Sequence, residues 1–392
     1  MNEKPRFEIL ERIGRGQFSN VYKARWVNAP LTPSCPPSPD AQSTIMNPLA
    51  LPELNQYQQQ ALIAPLEHES YTNQFKVKFH SEQMENNRKS GNEKFVALKR
   101  IKFYDIQNSK MRMDCVKEVK LLQQLRHPNI INYNISFIER NELFIVLELA
   151  DGGDLSKLIK YFQRRRQLLS ERTILKYFTQ VCSAVQYIHS KRILHRDIKP
   201  ANIFMTSDGC VKLGDFGLGR FFSQNTRDAH SIVGTFYYMS PERIRESGYG
   251  FSSDIWSLGC VLYELITLDS PFSIMNHEQI SNQNLLKQDN VGSWRRQVVQ
   301  PGNLNQQKQE AQQKNPYNLQ WLIERIIRAE YPSLASYSSI SVRLRQLTTE
   351  CLNPNPDARP NMDYICNVVG EAYRIQLQIQ SSSLKTTISQ AR

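Results

Sequence analysis

Residues 195–202 read His-Arg-Asp-Ile-Lys-Pro-Ala-Asn, and residues 215–217, which follow thirteen positions later, read Asp-Phe-Gly. These two stretches contain the residue types that phosphoryl transfer needs. Asp197 can accept the proton of a hydroxyl nucleophile. Lys199 can neutralise charge on a phosphoryl group in transfer. The alternative, polar residues of ordinary turns, is disfavoured because this combined motif rarely arises by chance.

The same two stretches also predict a metal site. Mg²⁺ prefers oxygen ligands, commonly one or two carboxylates together with substrate phosphates. Asn202 offers an amide oxygen and Asp215 offers a carboxylate. We therefore predict that these two residues hold Mg²⁺ beside a nucleotide.

A glycine turn lies near the start of the chain. Apolar and polar residues alternate on both sides of Gly14 and Gly16, which predicts two strands around the turn. Glycines let a backbone approach a phosphate closely, and the exposed N–H groups can cradle it. Taken alone, the pattern fits an ordinary hairpin equally well.

A lysine and a glutamate further along form a candidate ion pair. Lys99 lies near the end of the predicted strand 94–101, where a buried ammonium must find an anion. Glu118 lies on the inward side of the predicted amphipathic helix 112–125 and offers that anion. A solvated position for Glu118 at the rim of the helix stays open as the alternative.

The remaining pattern divides the chain into a strand-rich part and a helix-rich part. Residues 143–149 are apolar except for Glu148, which predicts a buried strand before Gly152 and Gly153. The predicted helices then follow at 154–165, 171–190, 254–268, 319–330, 342–352 and 361–378. Strands followed by helices predict an α+β protein with two lobes of different class.

Three segments lack sustained periodicity and are predicted to be disordered. Residues 27–92 are rich in Pro and then Gln, residues 274–317 are rich in Asn and Gln, and residues 379–392 are mostly Ser, Thr and Gln. The first two are insertions at surface loops, where long segments are tolerated. They are species-specific linkers, interaction segments or an error in the gene model.

Composition excludes several classes of protein. The 392 residues carry 49 basic and 37 acidic side chains, a formal charge of +12, without the interleaved aromatics of an RNA-binding surface. The densest basic cluster is Arg164-Arg165-Arg166, interpreted as a solvated surface or as a means of steering anionic ligands. Seven isolated cysteines predict reduced thiols. We expect no transmembrane helix, no secretory signal, no nucleic-acid partner and no membrane partner.

Taken together, these motifs resemble a eukaryotic protein kinase over residues 7 to about 373, apart from the two insertions. Ser-Pro-Glu at 240–242 takes the place of the usual Ala-Pro-Glu. Ile-Gly-Arg-Gly-Gln-Phe-Ser, Gly-Leu-Gly-Arg-Phe-Phe-Ser and Tyr-Tyr-Met-Ser-Pro-Glu-Arg-Ile resemble the NIMA-related (never-in-mitosis) kinases, most of all the short members. The resemblance implies a bilobal fold: a β-rich N-lobe at about 7–147 with one key helix, and a mainly helical C-lobe at about 151–373.

The resemblance also implies roles for individual residues. Asp197, Lys199, Lys99 and Glu118 would be catalytic. The adenine would lie between apolar side chains, with Leu147 at the back pocket and backbone groups of Glu148 and Ala150 at its edge. The implied nucleotide contacts are Ile13, Gly14, Arg15, Gly16, Gln17, Phe18, Ser19, Asn20, Val21, Ala97, Lys99, Leu147, Glu148, Ala150 and Phe204.

Regulation is implied in the same way. Arg196 would pair with a phosphorylated residue of the activation segment 218–239, and Ser231 matches the phosphorylated serine of the family. Ser223 and Thr226 remain alternative sites. Thr235 would bond Asp197 and Lys199.

Two further residues are implied to support the loop around Asp197. Asp254 would hold the backbone of that loop, with a helix N-cap as the alternative. Arg359 would pair with Glu242, with a surface arginine as the alternative.

The implied activity is that of a serine/threonine protein kinase using ATP and Mg²⁺, acting in mitotic, cell-cycle or microtubule regulation. Its partners would be protein substrates and an upstream activating kinase, for which a member of the same family is one candidate. We expect a monomeric catalytic domain in cytoplasm and nucleus, with spindle or centrosome as further sites. A catalytically silent scaffold and a small-molecule phosphotransferase are the competing hypotheses.

Overall fold

The computed structural model describes residues 6–15, 19–27, 76–79, 94–102, 119–140, 142–215, 236–273 and 319–390. The chain divides into a first unit, Met1–Asp151, and a second unit, Gly152–Arg392. This division follows the predicted change from strands to helices near Gly152.

The first unit is built on one six-stranded sheet. Its strands are β1 (Arg6–Arg15), β2 (Ser19–Trp26), β3 (Lys76–Phe79), β4 (Lys94–Ile101), β5 (Tyr133–Glu139) and β6 (Glu142–Glu148). The order across the sheet is β3-β1-β2-β4-β6-β5, antiparallel throughout except for the parallel pair β1–β3. Residues 119–124 are helical.

A hydrophobic cluster of the first unit lies on one face of this sheet. Side chains two positions apart share a face of a strand, which is why the alternating pattern of β1 buries Phe7 and Ile9 together. Strand β4 is buried on both faces. Phe7 stacks on Phe137 at a ring-centroid distance of 5.7 Å, and Phe137 stacks on Phe144 at 5.1 Å. The β-rich class of this unit is therefore confirmed.

Helices dominate the second unit. They are α1 (Leu155–Arg164), α2 (Glu171–Ser190), α3 (Pro241–Ile244), α4 (Phe251–Thr267), α5 (Leu319–Arg328), α6 (Val342–Cys351) and α7 (Met362–Gln390). Strands β7 (Ile203–Met205) and β8 (Val211–Leu213) form a two-stranded antiparallel sheet. Asn202 lies just before β7, and Asp215 follows β8. The mixed α+β fold class is thus confirmed.

Helix α4 is the centre of the second unit. Its residues are buried without a break from Ser253 to Tyr263, as expected for a helix that is apolar on all sides. Helix α6 approaches it so closely that a Cβ atom at Gly259 would lie 2.8 Å from the Cβ of Cys351. Glycine is therefore required at this crossing, because any side chain would push α6 away.

Three predicted boundaries are wrong. Residues 76–79 form a strand, β3, inside the segment 27–92 that was predicted to be disordered. Helix α7 continues to Gln390 through most of the tail predicted to be disordered from 379. No glycine or proline follows Gly370 in that helix, so nothing in the chain interrupts helix propagation from the packed first turns. Helix α4 begins at Phe251, three residues before Asp254.

The rest of both predicted insertions, 28–75, 80–93 and 274–318, lies outside the described residues. Five cysteines are described, and each is a free thiol. No helix in the described part of the chain combines the length and apolarity that a bilayer crossing requires.

Candidate active site

The loop between α2 and β7 holds Asp197 in a fixed position. The Lys199 ammonium lies 2.8 Å from Oδ2 of Asp197. The Asn202 amide donates to the same carboxylate and to the Asp197 carbonyl, both at 2.8 Å. Asn202 is buried. The structure thus brings together the predicted base, the predicted cation and one predicted metal ligand.

A buried histidine links this loop to the chain before Asp215. The Asp197 N–H donates to Nδ1 of His195 at 3.3 Å, and Nε2 of His195 lies 3.0 Å from the Gly214 carbonyl. Burial lowers the pKa of His195, although the carboxylates of Asp254 and Asp197 oppose this effect. A neutral ring with its proton on Nε2 satisfies both bonds, so His195 works as a connector rather than as a charge.

The β7–β8 hairpin brings the two predicted metal ligands to the same end. The Gly214 N–H donates to the Asn202 carbonyl at 3.0 Å, which places Asp215 immediately beyond Asn202. The Asn202 amide nitrogen is engaged by Asp197, so the side-chain oxygen is the atom with which Asn202 would bind a metal. An amide oxygen beside a carboxylate fits Mg²⁺ chemically.

Two residues of this site have strained backbones. Arg196 has φ of 70° and Asp215 has φ of 55°. Both values lie in the left-handed region that non-glycine residues rarely adopt. Such residues cost about 1–3 kcal/mol each and persist only where the surroundings over-determine them.

Asp254 is the residue that fixes the loop. Its carboxylate, fully buried in α4, accepts the backbone N–H of His195 at 2.9 Å and that of Arg196 at 3.0 Å. His189 Nε2 lies 2.9 Å from the same carboxylate, and the Tyr249 hydroxyl donates to it. Burial raises the pKa of Asp254, but these donors outweigh burial and hold it below its ordinary value. The implied role is confirmed, and the N-cap alternative is wrong because Gly250 is the cap.

Glu242 and Arg359 form the implied ion pair. The guanidinium binds the carboxylate through two bonds of 2.8 and 2.9 Å, and Arg359 is buried. Such two-bond pairing is among the stronger polar contacts in proteins. Burial opposes the charge of Glu242, but hydrogen bonds from Arg359 and Ser253 lower its pKa to about 2. The surface alternative for Arg359 is wrong, and the pair anchors helix α3 to the C-terminal half of the unit.

A second buried carboxylate was missed by the sequence analysis. The Tyr238 hydroxyl donates to Glu264 in α4 at 2.5 Å, and the Tyr238 carbonyl accepts from Ser257 at 2.9 Å. Burial raises the pKa of Glu264 to about 7, with the Tyr238 bond opposing the rise. The sequence signal that could have indicated this contact was a glutamate within the mostly apolar helix α4. The pair tethers the segment that follows Phe236 to the central helix.

Glu264 should make stability depend on pH near neutrality. Its pKa rises from 4.5 to about 7 on folding. Because the folded state holds the proton of this carboxyl more tightly than the unfolded state does, the protein loses stability as pH rises through that range. The loss amounts to about 3 kcal/mol at most.

Glu264→Gln removes this titration, so its free energy of unfolding should not show this decline. Measured by urea unfolding, the stability of the variant relative to the wild type should therefore increase between about pH 5 and pH 8. Glu324→Gln, an exposed change in α5, is the control. Parallel profiles for wild type and Glu264→Gln would contradict the assignment.

The first unit carries most of the predicted nucleotide contacts. Lys99 is buried on β4 and lies opposite Val21 of β2. Gly14 also lies opposite Val21, at a position where a Cβ would come within 3.3 Å of the valine Cβ. Arg15 pairs with Asn20 across the turn.

The chain segment after β6 carries the predicted adenine-edge groups. Leu147 lies opposite Ala97. The Glu148 N–H donates to the Asn132 carbonyl at 2.8 Å. The backbone group with which Glu148 would contact the adenine is therefore its own carbonyl oxygen. Phe204 belongs to the second unit, on β7. The nucleotide-contact assignments stay predictions.

Several predicted residues lie outside the described part of the chain. They are Gly16, Gln17, Phe18, Glu118, Ser231 and Thr235. The Lys99–Glu118 pair and the regulatory segment therefore stay predictions. Arg196 is described, and its carbonyl accepts from Arg243 at 3.0 Å.

Comparison with known proteins agrees with this geometry. The protein kinase domain family matches residues 83–369. The match begins after β1 and β2, so it does not cover the glycine turn between them. It extends across the second low-complexity segment and ends within α7.

Three relatives illustrate the likeness. Nek3 of Dictyostelium discoideum, named a probable serine/threonine-protein kinase, is 37% identical over 274 residues, 69% of this chain and 20% of nek3. Human serine/threonine-protein kinase Nek2 is 40% identical over 201 residues, 50% of this chain and 45% of Nek2. Human Nek5 is 48% identical over 165 residues, 42% of this chain and 23% of Nek5.

The chain spans less than half the length of each of these three relatives, so the predicted likeness to short family members stays a prediction. The resemblance to NIMA-related kinases is confirmed by the relatives themselves. With the family match over residues 83–369 and the Asp197 loop clamped by Asp254, the chain belongs to the protein kinase domain family, with Nek (NIMA-related) kinases among its relatives.

Proposed function

We propose that this protein is a serine/threonine protein kinase that transfers the γ-phosphate of ATP to hydroxyl groups of protein substrates. The observation that carries the proposal is the Asp197 carboxylate, held at 2.8 Å by both Lys199 and Asn202 on a loop whose backbone is bound by buried Asp254. Mg²⁺ would supply charge neutralisation between the phosphates when bound.

The residues of the second unit have defined tasks in this reaction. Asp197 orients the acceptor hydroxyl and takes its proton as the oxygen attacks phosphorus. Lys199 stabilises negative charge on the transferring group. Asn202 and Asp215 would hold the metal.

The rigid surroundings favour an enzyme over a silent scaffold. A scaffold needs the fold, but it does not need a strained loop with a positioned carboxylate, cation and amide. The two anchors of the segment 238–242, Glu264 and Arg359, favour protein substrates over small molecules. Holding that segment still supports a surface on which a peptide can lie next to Asp197.

The test is a phosphorylation assay on an uncharged serine peptide with Mg-ATP. We expect turnover that disappears with EDTA and in Asp215→Asn, while the exposed change Asp363→Asn leaves it intact. Equal rates in Asp215→Asn and wild type would overturn the metal assignment. Absence of turnover in an activated, folded wild type would favour the scaffold.

We propose that activation depends on phosphorylation of Ser231, which would order the activation segment on Arg196. The support is the family resemblance, together with the fixed backbone of Arg196. A phosphoserine adds about −2 charge and forms charge-assisted bonds with arginine. Mass-verified phosphorylated protein should be at least tenfold more active than unmodified protein.

Arg196→Ala should blunt that response more than it lowers basal activity. Ser231→Ala is expected to remove the response, with Ser223→Ala as the matched control. Full activity of a sample verified to be unmodified would refute this mode of regulation.

The cellular role is proposed from the family alone. The protein would be a monomeric catalytic domain in cytoplasm and nucleus. It would act on cell-cycle or microtubule substrates at the spindle or centrosome. An upstream kinase, with a family member as one candidate, would phosphorylate Ser231. Imaging of a tagged chain through mitosis, with Asp197→Ala alongside, tests this role; uniform distribution and unchanged mitotic timing would contradict it.

A further inference from the structure

Helix α1 and the turn after it present a one-sign basic surface. Residues 155–170 contain two lysines and three arginines and no acidic residue. Lys157, Lys160 and the three arginines Arg164, Arg165 and Arg166 are all exposed. Among the described residues, none of the three arginines forms an ion pair with a carboxylate.

The basic turn is ordered. Arg166 adopts φ of 51°, the Arg166 N–H donates to the Gln163 carbonyl at 3.0 Å, and the Gln167 N–H donates to Phe162 at 3.2 Å. These two bonds form the paired hydrogen-bond pattern that closes a helix C-terminus. The Arg165 guanidinium lies 4.4 Å from the Tyr161 ring centroid, and this cation–π contact restricts its rotamers. The backbone that carries the three arginines is therefore fixed, and the side chain of Arg165 is restricted.

One set of contacts places the start of α1 near the candidate active site of the same unit, and another ties its end to the far end of α4. At its start, Asp154 bridges to Phe204, two residues after Asn202, and Met205 exchanges backbone bonds with Gly152 and Gly153. At its end, the Gln163 amide donates to the Leu268 carbonyl at the end of α4. Lys160 also acts electrostatically on Glu264, the partner of Tyr238.

We propose that this surface, Lys157 to Arg166, binds an acidic segment of the protein substrate at a defined distance from the acceptor serine. The inference rests on the proposed kinase function and names a substrate class for it. Five cations, one of which (Lys157) is paired with Asp154 at 3.4 Å, select a segment rich in Asp, Glu or phosphoserine. Exposed Tyr161 lies within the surface and exposed Leu168 lies just after it, and both supply apolar contact for side chains between the acids.

Geometry sets the spacing. Helix α1 has ten residues. A helix of that length spans about 15 Å. An extended peptide advances about 3.3 Å per residue, so about five residues cover the length of α1. Acidic residues about four to seven positions from the acceptor should therefore reach the arginines. A peptide partner fits this limited patch, which is tied to the loop of Asp197, better than a long polyanion does.

The experiment compares serine peptides that differ only in a three-glutamate tract, placed four to seven residues before the acceptor, the same distance after it, or absent. The wild-type chain should show a KM about 3- to 10-fold lower for one of the two tract peptides than for the neutral peptide. Raising NaCl from about 50 to about 300 mM should remove most of the gain, since salt screens exposed charges.

Arg164→Gln/Arg166→Gln should abolish the gain and leave turnover of the neutral peptide unchanged. The matched control, Arg328→Gln/Arg343→Gln, removes the same charge from two exposed positions elsewhere in the unit and should keep the gain.

The outcomes separate the two proposals. Neutral-peptide turnover without any gain from either tract overturns this inference and leaves the kinase proposal standing. Absence of turnover overturns the kinase proposal, and anisotropy binding of the tract peptides then tests the surface by itself. Loss of RNA or anionic-vesicle binding in Arg164→Gln/Arg166→Gln, with peptide KM unchanged, would assign the patch to another partner and also overturn the inference.

Discussion

Asp197→Ala should lower kcat by about 10³-fold, because a positioned general base contributes about 10²- to 10⁴-fold to a rate. The carboxylate sits 2.8 Å from Lys199 and from the Asn202 amide, so its position is set before substrate binds. The KM for ATP should change little, since Asp197 is assigned to the acceptor hydroxyl and not to the nucleotide. Single-turnover rates with a serine peptide measure the effect.

Folding must be separated from chemistry in this variant. Asp197→Asn keeps the shape and an acceptor oxygen for Asn202, so its melting temperature should stay within a few degrees of wild type. Its rate should still fall by at least about 10²-fold, because an amide cannot take the proton. Asp208→Ala, an exposed change in the turn between β7 and β8, is the control. A folded Asp197→Asn protein with wild-type turnover would show that Asp197 is not the base.

Asp254→Ala should cost both stability and activity. The change leaves the His195 and Arg196 N–H groups without their acceptor in a buried site. Each such group costs about 1–3 kcal/mol. We expect a total of about 3–5 kcal/mol, the range for breaking a buried charged network. The loop that holds Asp197 would then lose its fixed backbone, so kcat should fall by at least about 10²-fold.

Asp254→Asn distinguishes charge from shape at this position. One amide oxygen can replace one carboxylate oxygen, so we expect intermediate stability and a partial loss of activity. Asp363→Ala removes an exposed carboxylate from the first turn of α7 and serves as the control. Wild-type melting and turnover in Asp254→Ala would contradict the anchoring role.

The deficit of Asp254→Ala should depend on pH. The folded pKa of Asp254 lies below its ordinary value of 3.8, so its contribution is present above about pH 4. As pH falls below that value the wild-type protein loses this contribution and the difference between the two proteins narrows. Unfolding measured at about pH 3, 5 and 7 checks the direction.

Much of the fold could be predicted because periodicity reports burial directly. The strands around Gly14, the buried strand β6 and all six long helices follow from alternation or from helical spacing. Strand β5 was missed, although Tyr133, Ile135 and Phe137 alternate as a strand requires. The tail was misjudged because a polar composition does not by itself mean disorder: helix propagation needs only a nucleus and no breaker.

The sequence by itself determined which groups can do chemistry. Asp197, Lys199, Asn202 and Asp215 were identified by type and spacing, because a short loop fixes the order of residues whatever the rest of the chain does. Local spacing cannot state what holds such a loop in place, since the holding groups come from distant parts of the chain.

The family resemblance implied two of those supports, and the tertiary structure showed all three with their contacts. His195 and Asp254 are 59 positions apart, Glu242 and Arg359 are 117 apart, and Tyr238 and Glu264 are 26 apart. Each pair joins a loop to a buried helix or to a distant turn, and each carboxylate acquires its pKa from burial and donors that exist only after packing. The sequence therefore specified the reactive groups, and packing around α4 specified their rigidity, because a buried charge is stable only where the fold delivers its partners.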